Sequence, residues 1–389
     1  MIPALLLWAV AQATVVGRPF IPPGGVVMWG PEGGAIATRV PTVAWIDGPL
    51  PLSYSMALKG VTAMSAGAAH GLLVHEDGSL VGINLKLGIE GVENVETGPE
   101  RVGALDASPL CACASAGWAC SFSVRRDGTV TSAGVFENGQ PALVEPGLRS
   151  IAAISAGWNH VLAVKSDGTV IGWGDGTTLP AARLTGVVAI CAGRDAAGHD
   201  LALRRDGSLV EWDPRGGKDN DLCPYAPKLT NAVAISAGWG HNLAVLSDGT
   251  VLGWGANTTG GATGVTAQEA GGFSDAALVT VGGILLTNVR SVAAGYGFSL
   301  ALKRDGTVAA WGAFADCKLP VVVPQGLRGA SAVAAGYSYC LVSLDFFGPR
   351  SRPRNPPGFP RRLPTPLQPS PQITGNSPRT PPSPAGGPQ

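Results

Sequence analysis

The stretch "SAGWNHVLAVKSDGTVIGWG" (Ser155–Gly174) returns almost letter for letter as "SAGWGHNLAVLSDGTVLGWG" (Ser236–Gly255). A catalytic constellation is ordinarily written once, so a repeated phrase reads as architecture. Its parts have a plain physical sense. A short apolar strand runs into Ala-Gly, where the chain turns. A second strand follows with apolar residues at alternate positions. Asp-Gly then predicts a tight type I′ hairpin, with positive φ at both central residues. A third strand returns and ends in Trp-Gly.

The same small-Ala-Gly step stands at Gly67, Gly117, Gly157, Gly193, Gly238, Gly271, Gly295 and Gly336. Eleven residues separate it from the hairpin glycine at Gly78, Gly128, Gly168, Gly249 and Gly306, and the Gly193 unit carries three extra residues within "GRDAAGH". Trp173, Trp212, Trp254 and Trp311 fall five residues after their hairpin glycines, where a large ring fills the gap between wedge-shaped sheets. Ala133 and Ile83 hold that place in two earlier units, which should pack less tightly. Units of two or three short strands, recurring at a period of about forty, describe the blades of a β-propeller.

The two ends of the repeat region complement each other. The last unit, "SAVAAGYSYCLVSLD" (Ser331–Asp345), lacks the Asp-Gly and Trp-Gly pieces, while "PGGVVMWG" (Pro23–Gly30) supplies a spare one, with Trp29 five residues after Gly24. Joining them closes a circle and removes two exposed sheet edges. The fold expected is all-β: a single seven-bladed β-propeller over residues 21–345, closed by an N-terminal strand. Eight blades is the alternative if the Gly271 unit, "AGGFSDAALVTVGGILL", is a blade of its own rather than part of the stretch between Gly238 and Gly295.

Composition agrees with a turn-rich β protein. With 56 glycines and 32 prolines, long helices are disfavoured. The formal net charge is zero, which argues against a general attraction for nucleic acid or anionic membranes. The charge is uneven, however. Arg350, Arg352, Arg354, Arg361, Arg362 and Arg379 follow Asp345 with no acid among them, so the rest of the chain carries the balancing excess of negative charge. Residues 346–389 read as a disordered, Pro/Arg-rich tail. Residues 1–20 read as a signal peptide or a disordered N-terminus, because "MIPALLLWAVAQA" is an apolar run ending in Ala11-Gln12-Ala13. It is too short to span a bilayer. The protein is secreted or on the cell surface if Met1–Ala13 is cleaved, and cytoplasmic otherwise. Asn257-Thr258-Thr259 is a glycosylation sequon that matters only on export. Seven cysteines cannot all pair internally; Cys111, Cys113, Cys120, Cys191 and Cys340 fall in or beside apolar strands, where a thiol acts as a small hydrophobe.

With glycine, histidine, Asp-Gly and Trp-Gly recurring in order and register over about Gly24 to Leu344, the chain resembles the regulator of chromosome condensation superfamily of propellers. Its short blades are similar in style to bacterial members, among them the propeller that inhibits β-lactamases. The resemblance implies a seven-bladed ring sealed by an N-terminal strand. Family members do different jobs: the founding one exchanges nucleotide on a small nuclear GTPase and docks on nucleosomes, and others inhibit enzymes or recruit partners. This chain has no basic N-terminal arm, and the segment between the Gly117 and Gly157 units is short, so nucleotide exchange is not carried over.

Several residue sets invite a functional reading. His70, His160 and His241 stand three residues after their glycines, with His199 equivalent in the longer unit. Cys120, Ser274, Phe298 and Tyr339 take the same place elsewhere, so each histidine is read as structural, serving backbone groups in its own blade, together with Gly67, Gly157, Gly238 and Gly295. His75 is out of register and expected to be exposed. Asp77, Asp127, Asp167, Asp206, Asp248 and Asp305 are read as turn residues. No nucleophile, phosphate-loop or paired-carboxylate motif stands out, so the chain is read as a non-enzyme with no metal and no cofactor. The position directly after the repeat glycine is different. It holds Trp118, Trp158, Arg194, Trp239, Tyr296 and Tyr337, residue types that dominate protein interfaces, and symmetry brings them to one face of the disc. The expected function is therefore a monomeric, non-catalytic propeller binding a protein partner, such as a small GTPase or an inhibited enzyme, through this aromatic face. The alternatives are a guanine-nucleotide exchange factor and a secreted glycan-binding protein.

Overall fold

The run His160–Val164 is buried at every residue, not at alternate ones. A strand hidden on both faces must lie in the middle of a sheet that is itself sandwiched between two others. In the computed structural model this holds for each repeat. The structure describes residues 26–30, 44–45, 61–68, 70–84, 111–136, 138–174, 184–193, 199–212, 227–265, 273–316 and 318–344, which belong to one compact unit.

The strands form small antiparallel sheets. Sheet I contains Val61–Ala66, His70–His75 and Leu80–Asn84; sheet II contains Cys111–Ala116, Ala119–Arg125 and Val130–Val135. Sheet III contains Ile151–Ala156, His160–Lys165 and Val170–Gly174; sheet IV contains Val187–Cys191, Asp200–Arg204 and Leu209–Trp212. Sheet V contains Ala232–Ala237, His241–Leu246, Val251–Ala256 and Phe273–Leu278; sheet VI contains Val289–Ala294, Phe298–Lys303 and Val308–Gly312. In sheet VII the order is Ala330–Ala335, Cys340–Leu344, Val26–Trp29 and Ala44–Trp45. The N-terminal strand thus completes the last unit, with Val26 opposite Ser343 and Trp29 opposite Cys340. Sheets adjacent in sequence touch, and sheet VII touches sheet I, so the run of contacts is cyclic.

Among the described residues the Gly271 unit builds no three-stranded sheet of its own. Phe273–Leu278 is the fourth strand of sheet V, where Leu278 pairs with Leu252, and the Gly282-Gly283 turn joins a two-stranded hairpin, Thr280–Val281 with Ile284–Leu285. Gly271, Gly24, Met1–Ala13 and the arginines of 346–389 lie outside the described residues. Among the described residues no helix is long and apolar enough to cross a membrane.

The core is divided among the seams between sheets. Residues on the middle strand of sheet III serve two of them: Val161 and Ala163 join a cluster with Phe122 and Ile154, while Leu162 and Val164 join one with Ile190 and Ala202. The tryptophans sit where expected, Trp29, Trp173, Trp212, Trp254 and Trp311 each in one seam. Among the described residues the seam between sheets I and II has no aromatic ring; Leu72, Val74, Leu80 and Ala116 fill it, with Ala133 at its border.

The Asp-Gly turns differ from expectation. Gly78, Gly128, Gly168, Gly207, Gly249 and Gly306 take positive φ, but none of the preceding aspartates does. Gly168 N donates to Lys165 O, and Lys165 N donates to Thr169 O. This is a type I turn followed by a bulge, in which only the glycine needs the left-handed region. The aspartate keeps ordinary φ, and its carboxylate accepts the N–H two residues on, as at Thr129 N to Asp127 at 2.9 Å. His75 also differs. It is 7% exposed rather than open to solvent, because it ends a middle strand.

Candidate functional site

The repeat glycine is dictated by crowding at the centre, since positive φ is not involved at these positions. A Cβ on Gly67 would lie 2.3 Å from Gly117 O, one on Gly157 would lie 2.4 Å from Gly193 O, and one on Gly238 would lie 2.7 Å from Gly295 O. At these seams the inner end of one sheet therefore rests directly on the backbone of the next. Gly295 and Gly336 are crowded mainly by Phe298 and Tyr339 of their own sheets.

Hydrogen bonds stitch the same seams. Ser65, Ser115, Ser155 and Ser236 accept the N–H of Ala116, Ala156, Ala192 and Ala294 in the following sheet, at 2.9–3.0 Å. At the opposite end of the inner strands, the hairpin glycine carbonyl accepts the first N–H of the next sheet, as for Ile151 N to Gly128 O at 3.1 Å and Ala330 N to Gly306 O at 2.9 Å.

His70, His160 and His241 reach forward, which corrects the expectation of a partner in their own blade, whereas His199 lies nearest Glu211 of its own sheet. His70 Nε2 is 2.8 Å from Ser121 Oγ, His160 Nε2 is 2.8 Å from Asp200 Oδ1, and His241 Nε2 is 2.8 Å from Ser299 Oγ. His199 Nδ1 is 3.6 Å from Glu211 Oε1, a buried carboxylate that also accepts from Asn242 and Trp254 of sheet V. The rule is a match between the residue three after one glycine and the residue four after the next, or its equivalent in the longer unit. Histidine meets Ser121, Asp200 or Ser299. Cys120 shares an apolar seam with Val161, and Phe298 shares one with Cys340. Tyr339 reaches sheet I with its hydroxyl, which donates to His70 O at 2.6 Å; the residue four after Gly67 is Gly71, which has no side chain to match.

His241 is the most enclosed of these histidines, and burial lowers its imidazole from 6.5 to about 4. Ser299 Oγ donates to Gly261 O at 2.8 Å, so it accepts from His241, whose Nε2 carries the proton. Nδ1 has no partner. Burial likewise raises the Cys340 thiol. No group of three or more metal-ligating side chains occurs among the described residues. The turn aspartates are held below the usual carboxylate range by the hydroxyl and then the N–H two residues on, with the N–H first for Asp248. Asn257 is 1% exposed and its amide is saturated by Thr263, Val265 and Ser274, so the folded sequon is closed to modification.

The residues following the glycines converge into one continuous aromatic cluster. Trp118 stacks on Trp158 at 4.5 Å between centroids, and Tyr296 stacks on Tyr337 at 4.5 Å. Tyr337 links the pairs, edge-on to Trp118 at 5.8 Å and to Trp239 at 5.6 Å, and Trp239 also meets Tyr296. Trp118 and Tyr337 come from sheets II and VII; sheet I lies between them and has only Ala68 at this position. Trp239 is buried, while the other four rings stay partly exposed. Arg194 lies outside the described residues.

One residue at this site was missed from the sequence. Asp316 follows the third strand of sheet VI, outside the repeated phrase, and is exposed. Its carboxylate accepts from Ser338 Oγ at 2.6 Å and bonds to the Tyr337 hydroxyl. Burial first, then Asp316 and Tyr296, raise the Tyr337 phenol above its ordinary range.

Three segments, 151–177, 232–260 and 289–315, match the regulator of chromosome condensation (RCC1) repeat. Among solved structures, the chain is similar to Prp20p from Saccharomyces cerevisiae, described with its binding to Gsp1p and histones. That likeness has 18% identity and a TM-score of 0.60, over 84% of this chain and 92% of that one. It is also similar to human WBSCR16, with 15% identity and a TM-score of 0.54, over 83% of this chain and 100% of that one. At these identities the likeness is one of fold. No curated protein matches in sequence. The chain is an all-β propeller of short antiparallel sheets. Within that class, three of its sheets carry the RCC1 repeat.

Proposed function

We propose that the chain is a non-catalytic interaction propeller that holds a protein partner against Trp118, Trp158, Trp239, Tyr296 and Tyr337, with Arg194 a further candidate contact from its place in the repeated phrase. The observation that carries this reading is the continuity of the cluster: rings from five sheets merge into one surface, four of them partly exposed. Such rings supply large contact area at small conformational cost. Their mutual packing also caps the sheet ends, which preorganises the surface. The test is capture of partners by the folded propeller and by a Trp158→Ala/Trp239→Ala variant. Loss of a specific partner with the fold retained supports the reading, and unchanged capture overturns it.

A second reading is regulation of a small GTPase, favoured by the similarity to Prp20p, described with its binding to Gsp1p. Nucleotide-release assays over a panel of small GTPases test it, and acceleration of none removes it.

A further inference from the structure

We propose that the aromatic face receives an arginine side chain of the partner protein, with Asp316 as its counter-charge. This rests on the reading of that face as the partner surface. The rings offer electron-rich faces, which attract a planar cation more strongly than a neutral group of the same shape. Asp316 stands at the edge of Tyr337, held by two neutral hydroxyls, Ser338 and Tyr337. Those donors orient the carboxylate without neutralising it. Among the described residues no lysine or arginine pairs with Asp316, Lys318 included. The net charge of the chain up to Asp345 has the same sign, because that stretch holds more acids than bases.

Arginine fits this pair of features better than lysine. A guanidinium can lie flat on a ring while its fork meets a carboxylate in the same plane, whereas an ammonium is a compact, strongly hydrated charge. The stem of the arginine would cover ring surface that is now partly exposed.

The test uses N-acetyl-arginine amide, its neutral citrulline analogue and the lysine analogue, titrated into the intact chain while the indole N–H resonances of Trp118 and Trp239 are followed. Arginine should shift both resonances, with citrulline about tenfold weaker or more, as expected for loss of a charge-assisted bond. Asp316→Asn keeps acceptors for Ser338 and Tyr337 and should weaken arginine about tenfold. Citrulline or lysine binding as well as arginine, or an unaffected Asp316→Asn variant, overturns the inference. Loss of partner capture in the double tryptophan variant, without competition by the arginine amide, would sink this inference alone. Unchanged capture would instead sink the reading of the face.

Discussion

Replacing His241 by glutamine should remove much of the protein's sensitivity to mild acid. Burial holds the imidazole near 4, while in the unfolded chain it titrates near 6.5. Between those values the unfolded chain binds a proton that the folded chain refuses, so stability falls as pH drops through that window. It is fully present above about 6.5 and levels off below about 4. At about 1.4 kcal/mol per pH unit, the loss is about 3 kcal/mol. Glutamine has no proton to take up, and its amide can still donate to Ser299. Urea unfolding of both proteins between pH 7.5 and 4 is the assay. The turn aspartates are common to both and cancel in the difference; their lowered values make them lose stability only as pH falls through and below the ordinary carboxylate range. The wild type should lose about 3 kcal/mol more than the variant across the window. Parallel pH profiles would refute the reasoning, since they would mean that the folded state takes up the proton as readily as the unfolded one.

Two further perturbations probe the ring. Gly157→Ala places a methyl 2.4 Å from Gly193 O and should cost roughly 1–3 kcal/mol by overpacking the seam, read as a lower urea midpoint. Deleting the chain through Trp29 leaves the edge of Cys340–Leu344 without its partner and should convert cooperative thermal unfolding into a broad, aggregation-prone transition, followed by scattering.

The placement of Val26–Trp29 beside Cys340–Leu344 was legible because one end of the repeat region lacked the strand that the other had to spare. The tryptophans were legible because their spacing from the hairpin glycine is constant. The partners of the histidines were not. Each match joins a residue of one unit to a residue of the next, and a register drawn within single units hides it; setting His70 beside Ser121 and Cys120 beside Val161 would have exposed it. The turn type was misread because Asp-Gly serves both as the centre of one hairpin and as the end of another, and only the φ of the aspartate distinguishes them. Asp316 was invisible because it belongs to a connecting loop that the repeat does not constrain.

The pairing of the first described strand with the last imposes an order on biosynthesis. Val26–Trp29 emerges from the ribosome roughly three hundred residues before Cys340–Leu344, a delay of roughly 15–60 s at about 5–20 residues per second. Throughout that interval its pairing strand is absent and the circle cannot be completed, although Val26 and Met28 can already meet Ala66 and Leu73 of sheet I. Closure is thus the most non-local event in the chain, of the kind that slows folding. The nascent protein must carry a strand with an unpaired backbone edge until the final sheet is made.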